Sequence, residues 1–101
     1  MTKISRYGLK EKQKEQFTNE LWGLFASFED AKAARSFLGH YLTPAEVIIF
    51  AKRWQALQRL AEKKSYGEIG MELKMSSTTL SRYSNCMRAD ARFREEILSR
   101  M

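Results

Sequence analysis

The residues of this chain best suited to chemistry are hydrogen-bond donors and acceptors of a reading surface. Ser77, Thr78, Thr79, Ser81 and Arg82 crowd into one short stretch. If that stretch is helical, Leu80 and Tyr83 turn to one side and leave Thr78, Thr79, Ser81 and Arg82 exposed on the other. Short hydroxyls beside one bidentate donor suit the edges of base pairs in a DNA major groove. Arg82 can donate two hydrogen bonds to guanine O6 and N7 or pair with a phosphate; its alternative is an ion pair with Glu68 or Glu72. The hydroxyls read bases, touch phosphates or cap a helix, the last role falling first to Ser76 or Ser77. Lys63, Lys64, Lys74 and Arg88 suit contacts to the phosphate backbone, which position a protein without specifying sequence. For each of them a solvated basic face is the alternative.

No set of residues assembles for catalysis, so an enzyme is not expected. His40 is the only histidine and has no clustered cysteine beside it, which argues against a metal site. Cys86, next to Met87, reads as a small, mostly buried thiol with no histidine near it to activate it. Glu95 and Glu96 with Arg92 and Arg94 read as a solvated helix face. A glycine-rich phosphate loop, an acid paired with a separate base, and a nucleophile triad are all missing from the sequence.

Composition points the same way. A net charge of +6 and a pI near 9.7 suit a polyanionic partner, through phosphate attraction and counterion release, although plain solubility also explains them. One cysteine rules out an internal disulfide and fits a reducing cytoplasm. No apolar run approaches the roughly 20 residues that span a bilayer, and the N-terminal sequence has no apolar signal segment. A cytoplasmic protein with no membrane partner is expected. At 101 residues the chain is expected to be one complete domain. One proline, five glycines and no alternating Val/Ile/Thr run predict an all-α fold.

The elements that must hold the reading surface follow from the apolar spacing. Residues 1–8 read as a polar arm. Over residues 9–28, Phe17, Leu21, Leu24, Phe25 and Phe28 recur at three- and four-residue steps, with Trp22 widening the stripe, as in an amphipathic helix. So many aromatic groups on one short helix suit a partner chain as well as an ordinary core. A second helix over residues 30–41, capped by Asp30 or Ser27, turns Ala34, Phe37, Leu38 and Tyr41 inward. Leu42-Thr43-Pro44-Ala45-Glu46 is a strong helix start, with Thr43 as cap, Pro44 in the first turn and Glu46 completing a capping box. That helix runs to about Lys63, and Val47, Phe50, Ala51, Trp54, Leu57, Leu60 and Ala61 spread around it as on a central helix. Lys63 and Lys64 favour its C-terminal dipole.

Tyr66 to Asn85 then matches the helix-turn-helix template. Ser65 opens its first helix in a second capping-box pattern, and Ile69 and Leu73 share the inward face. Gly70 sits where the two helices press together, and Met75 plugs the corner. The recognition helix spans residues 77–88. A last helix over residues 91–100 turns Phe93, Ile97 and Met101 inward. The layout is thus a single helical DNA-binding domain over residues 1–101: arm 1–8, core and dimerisation helices 9–64, helix-turn-helix 65–88, C-terminal helix 91–101.

LTPAE at 42–46, an arginine nine residues after the proline at Arg53, and the ending LSRYSN resemble the Trp repressor family over about residues 42–90. SYGEIGMELKMSSTTLSR is closer to its repressor-like branch of uncertain ligand than to the tryptophan-responsive members. The resemblance implies a six-helix fold in an intertwined homodimer. Its recognition helices would lie about one DNA turn apart and read a near-palindromic operator. It also implies a tryptophan slot, with Arg53 and Arg82 on the two faces of the indole and Thr43 lining it. Two residues depart from that slot. Tyr83 stands where tryptophan-responsive members have glycine, and Cys86 where they have serine. The Tyr83 phenol fills the cavity that an indole needs, so tryptophan is disfavoured and no cofactor is expected. Lys74 occupies the turn position usually held by glycine, at a cost of about 1 kcal/mol. The chain is also one residue shorter between Leu60 and Glu68, so half-site spacing is not carried over.

The combined reading is a homodimeric regulator of transcription, in all expectation a repressor, that binds double-stranded DNA. The alternatives are a helix-turn-helix module that binds a protein, or a transposase-type DNA-end-binding module.

Overall fold

The computed structural model describes residues 7–101. Most of the expected arm over residues 1–8 therefore lies outside the described residues. Those described form an all-α structure with helices α1 (Glu11–Ala26), α2 (Ala31–Tyr41), α3 (Pro44–Ala61), α4 (Tyr66–Leu73), α5 (Ser77–Ala89) and α6 (Ala91–Ser99). They fall into two compact units that divide between Thr43 and Pro44. None of the helices is long and apolar enough to cross a membrane.

In the first unit, local chemistry sets the helix ends. The Lys10 backbone N–H donates to Gln13 Oε1 at 3.2 Å and opens α1. The Ser27 hydroxyl closes it by donating to the Leu24 carbonyl at 2.6 Å. Asp30, and not Ser27, caps α2, accepting from the Ala33 N–H at 2.8 Å. The inward faces expected of these helices are only partly realised. Leu21, Leu24, Phe28, Ala34 and Leu38 are half-buried, whereas Phe17, Trp22, Phe25, Phe37 and Tyr41 stay exposed. No residue of either helix is fully buried. Paired helices have too little surface to enclose so many rings. The rings lean on their neighbours instead: Phe28 on Phe37 at 5.6 Å between centroids, Phe37 on Tyr41 at 6.0 Å.

The second unit has a true core. Ala56, Leu60, Ala61, Ile69, Leu80, Met87 and Ile97 are buried, and Trp54, Leu57, Leu73, Met75, Tyr83 and Phe93 pack against them. Ile69 and Leu80 are wholly enclosed; burying each contributes about 1.5–3 kcal/mol. α3 packs against α4, α5 and α6, but its burial begins only at Ala56. Val47, Phe50 and Ala51, expected on a helix covered all round, are exposed, as are Ile48 and Ile49. The short helices of this unit cover only the C-terminal part of α3. Met101, expected inward, is also exposed, because α6 ends at Ser99.

The end of α3 is built with care. Lys63 takes a left-handed conformation (φ 64°). Its N–H donates to the Leu60 carbonyl and that of Lys64 to Arg59, at 2.9 and 3.0 Å, the bond pair of a Schellman motif. The Arg94 guanidinium, expected on a solvated face, is half-buried and donates twice to the Ala61 carbonyl, at 3.1 and 2.7 Å. Arg94 thereby ties α6 to the end of α3.

Candidate nucleic-acid interface

α4 and α5 are held as a compact pair from the inside. Ser65 caps α4 by accepting from the Glu68 N–H at 3.2 Å. Gly70 stands at the closest approach of the pair: a Cβ there would lie 3.0 Å from the Met75 carbonyl oxygen. Lys74 ends α4 in the left-handed region (φ 56°, ψ 52°), the conformation that the template position demands. The Met75 N–H returns to the Gly70 carbonyl at 3.3 Å. From α3, Lys52 Nζ donates to the Lys74 carbonyl at 3.4 Å, a direct tie from the turn to the long helix.

Ser76 caps α5, its hydroxyl accepting from the Thr79 N–H at 3.3 Å. The Ser76 and Thr79 hydroxyls also lie 3.1 Å apart and share a hydrogen bond. Thr79 is therefore half-buried and engaged in the cap, and Ser81 is half-buried as well. Of the four residues expected on the open face, Thr78 and Arg82 are fully exposed, together with Ser77. The face is narrower than sequence pattern predicts, because the cap engages Thr79 and Ser81 is half-buried.

Arg82 does not form the ion pair that was its alternative. Arg59 takes Glu72, Nε to Oε1 at 2.5 Å, and also holds the Gln55 side chain at 2.7 Å. The Arg59 hydrogen bond, helped by the charges of Arg59 and Lys64, holds the Glu72 carboxyl below its ordinary range. Arg82, which is exposed, instead lies over the Tyr83 ring, 5.3 Å from its centroid, a cation–π contact. Arg88 donates to Asn85 Oδ1 within α5. Lys63, Lys64, Lys74 and Arg88 are all exposed, near the ends of α3, α4 and α5.

The proposed slot residues fall in both units. Thr43 closes the first unit, and Arg53 and Arg82 belong to the second. Arg53 is exposed and lies over Phe50 on its own helix, 5.5 Å from the ring centroid. Tyr83 is half-buried against the core, its ring stacked under Arg82. Cys86 is exposed, contrary to expectation, since the inward positions of α5 are taken by Leu80, Tyr83 and Met87. Among the described residues, no three His, Cys, Asp or Glu side chains converge as metal ligands.

Sequence pattern passed over Tyr66 and Asn85 as functional residues. Both line a shallow recess on the outer face with Ser77, Thr78, Ser81 and Arg82. Tyr66 opens α4, where the capping pattern explained it, and nothing in its spacing joins it to α5.

The model of the Trp repressor protein family matches residues 15–101. No curated protein matches the chain, and neither does any solved structure.

Proposed function

The chain belongs to the Trp repressor family, and from that premise we propose that it is a cytoplasmic repressor that reads a near-palindromic operator as a homodimer. Membership places it among DNA-binding regulators of transcription. The observation that carries the finer reading is the pairing of α4 and α5. Their inward residues Ile69 and Leu80 are fully enclosed, so the outer face of α5, with Ser77, Thr78 and Arg82, projects from a rigid support. Thr78 and Arg82 face base edges, with Ser77 and Ser81 beside them and Thr79 setting the start of the helix. Lys63, Lys64, Lys74 and Arg88 follow the phosphates. The homodimer reading is supported by the uncovered apolar surface of α1, α2 and the N-terminal part of α3.

We propose that Tyr83 disfavours tryptophan as a ligand of this chain. The Tyr83 ring already lies on the core and under Arg82, and Arg53 rests on Phe50. On this reading DNA binding does not require tryptophan. Titration with tryptophan should leave the melting temperature unchanged, and a clear rise would overturn the point.

The decisive experiment is selection of bound duplexes from a random pool, followed by affinity measurements across a salt series. Steep salt dependence is expected, because each phosphate contact releases counterions. Arg82→Ala should weaken specific binding by about 1–3 kcal/mol and leave non-specific affinity less affected. No duplex affinity at low salt, with a protein partner captured instead, would overturn the proposal.

A further inference from the structure

Tyr66, the first residue of α4, is 36% exposed and shares a recess with five residues of α5: Ser77, Thr78, Ser81, Arg82 and Asn85. The recess has an apolar side and a polar side, and the Ser77 and Ser81 hydroxyls, which donate or accept, belong to the polar one. The phenol ring of Tyr66 and the methyl group of Thr78 are apolar. Arg82 carries N–H donors and no acceptor. Asn85 adds its amide N–H₂ as a donor, while its Oδ1 accepts from Arg88.

An apolar wall beside donors is complementary to an apolar group beside an acceptor. On the major-groove edges of DNA only thymine shows that combination, a C5-methyl next to the O4 acceptor. Cytosine presents an N4 donor there, and neither purine carries a methyl group. The net charge of +6 favours the approach of a duplex to this face. We propose that the recess receives the methyl group of a thymine, and that Tyr66, from outside the recognition helix, is a specificity-determining residue. The proposal rests on the DNA-reading function assigned to α5.

A thymine-to-uracil scan tests it. The best-bound duplex from the random pool is remade with each thymine replaced singly by uracil, which removes the methyl and leaves O4 in place. The unaltered protein should lose about fourfold in affinity at one thymine in each half of the site, the effect of one buried methyl group. In Tyr66→Ala that loss should vanish, and in Thr78→Ser it should shrink. The scan on the unaltered protein stands even where a variant folds poorly. Indifference to uracil at every position, or a sensitivity that persists undiminished in Tyr66→Ala, overturns the recess while duplex binding and its salt dependence continue. Absence of any duplex binding at low salt has a different signature and removes the DNA-reading function itself.

Discussion

Lys74 closes a turn and, on the proposed function, also serves a partner. Its left-handed backbone (φ 56°) is a conformation that glycine adopts freely and lysine at a cost. The requirement was legible in sequence, because the helix-turn-helix template fixes both the position and its geometry. What lysine adds is a charge beside the reading face. Lys74→Gly should therefore raise stability by about 0.5–1 kcal/mol in denaturant unfolding. It should also make the salt dependence of duplex binding shallower by about one unit of slope, as loss of one phosphate contact requires. A stability gain with an unchanged slope would mean that Lys74 touches no phosphate. Thr79, Ser81 and Cys86 were less legible at this scale. A hydroxyl at the start of a helix can cap or read, and only the 3.1 Å contact from Ser76 to Thr79 separates the roles. Cys86 sits one residue before the buried Met87, where a small turn of the helix decides which of the pair is enclosed.

Between elements, polar ties fix the reading head on its support. Lys52 holds the turn, Arg94 joins α6 to α3, and Arg59 with Glu72 joins α3 to α4. None of these pairs follows from periodicity, which reports the face that a helix buries but not the long side chains that reach across its edge. The helix starts were legible for the opposite reason. Asp30, Ser65 and Ser76 each bond a backbone N–H within their own first turn, so the information is local. The Arg59–Glu72 tie gives a pH signature. Its folded-state carboxyl titrates below the ordinary range. The stability it contributes is present above the unfolded pKa of about 4.3 and is lost as pH falls through the lower folded value. Melting temperatures measured downward from pH 6 should accordingly fall less steeply in Glu72→Gln than in the unaltered protein. Added salt should shrink that difference, because Glu72 lies at the surface. Parallel curves for the two proteins would show that the tie carries no stability.

At the scale of the whole molecule, the outstanding fact is apolar surface that neither unit covers within itself. The aromatic excess of α1 and the apolar residues spread around α3 were plain in the sequence, but a hydrophobic stripe states only that a face needs covering. It is silent on whether the cover comes from the same chain. Trp22 and Ile48, each 61% exposed, are not covered within their own units, so changing them leaves the core of Ile69 and Leu80 intact. Substitutions at exposed sites of this kind usually alter stability by less than about 0.5 kcal/mol. If a second copy covers these faces, Ile48→Asp buries an unpaired charge and should shift the protein from dimer to monomer in sedimentation equilibrium. The monomer presents one reading head where the dimer presents two. It should bind a near-palindromic duplex no more tightly than a half-site. Its slope of log affinity against log salt should fall to about half, since the slope counts phosphates neutralised. A variant that stays dimeric with full slope would place the interface elsewhere than on α3. One that is monomeric yet keeps the full slope would separate dimerisation from DNA binding, and with it the near-palindromic operator.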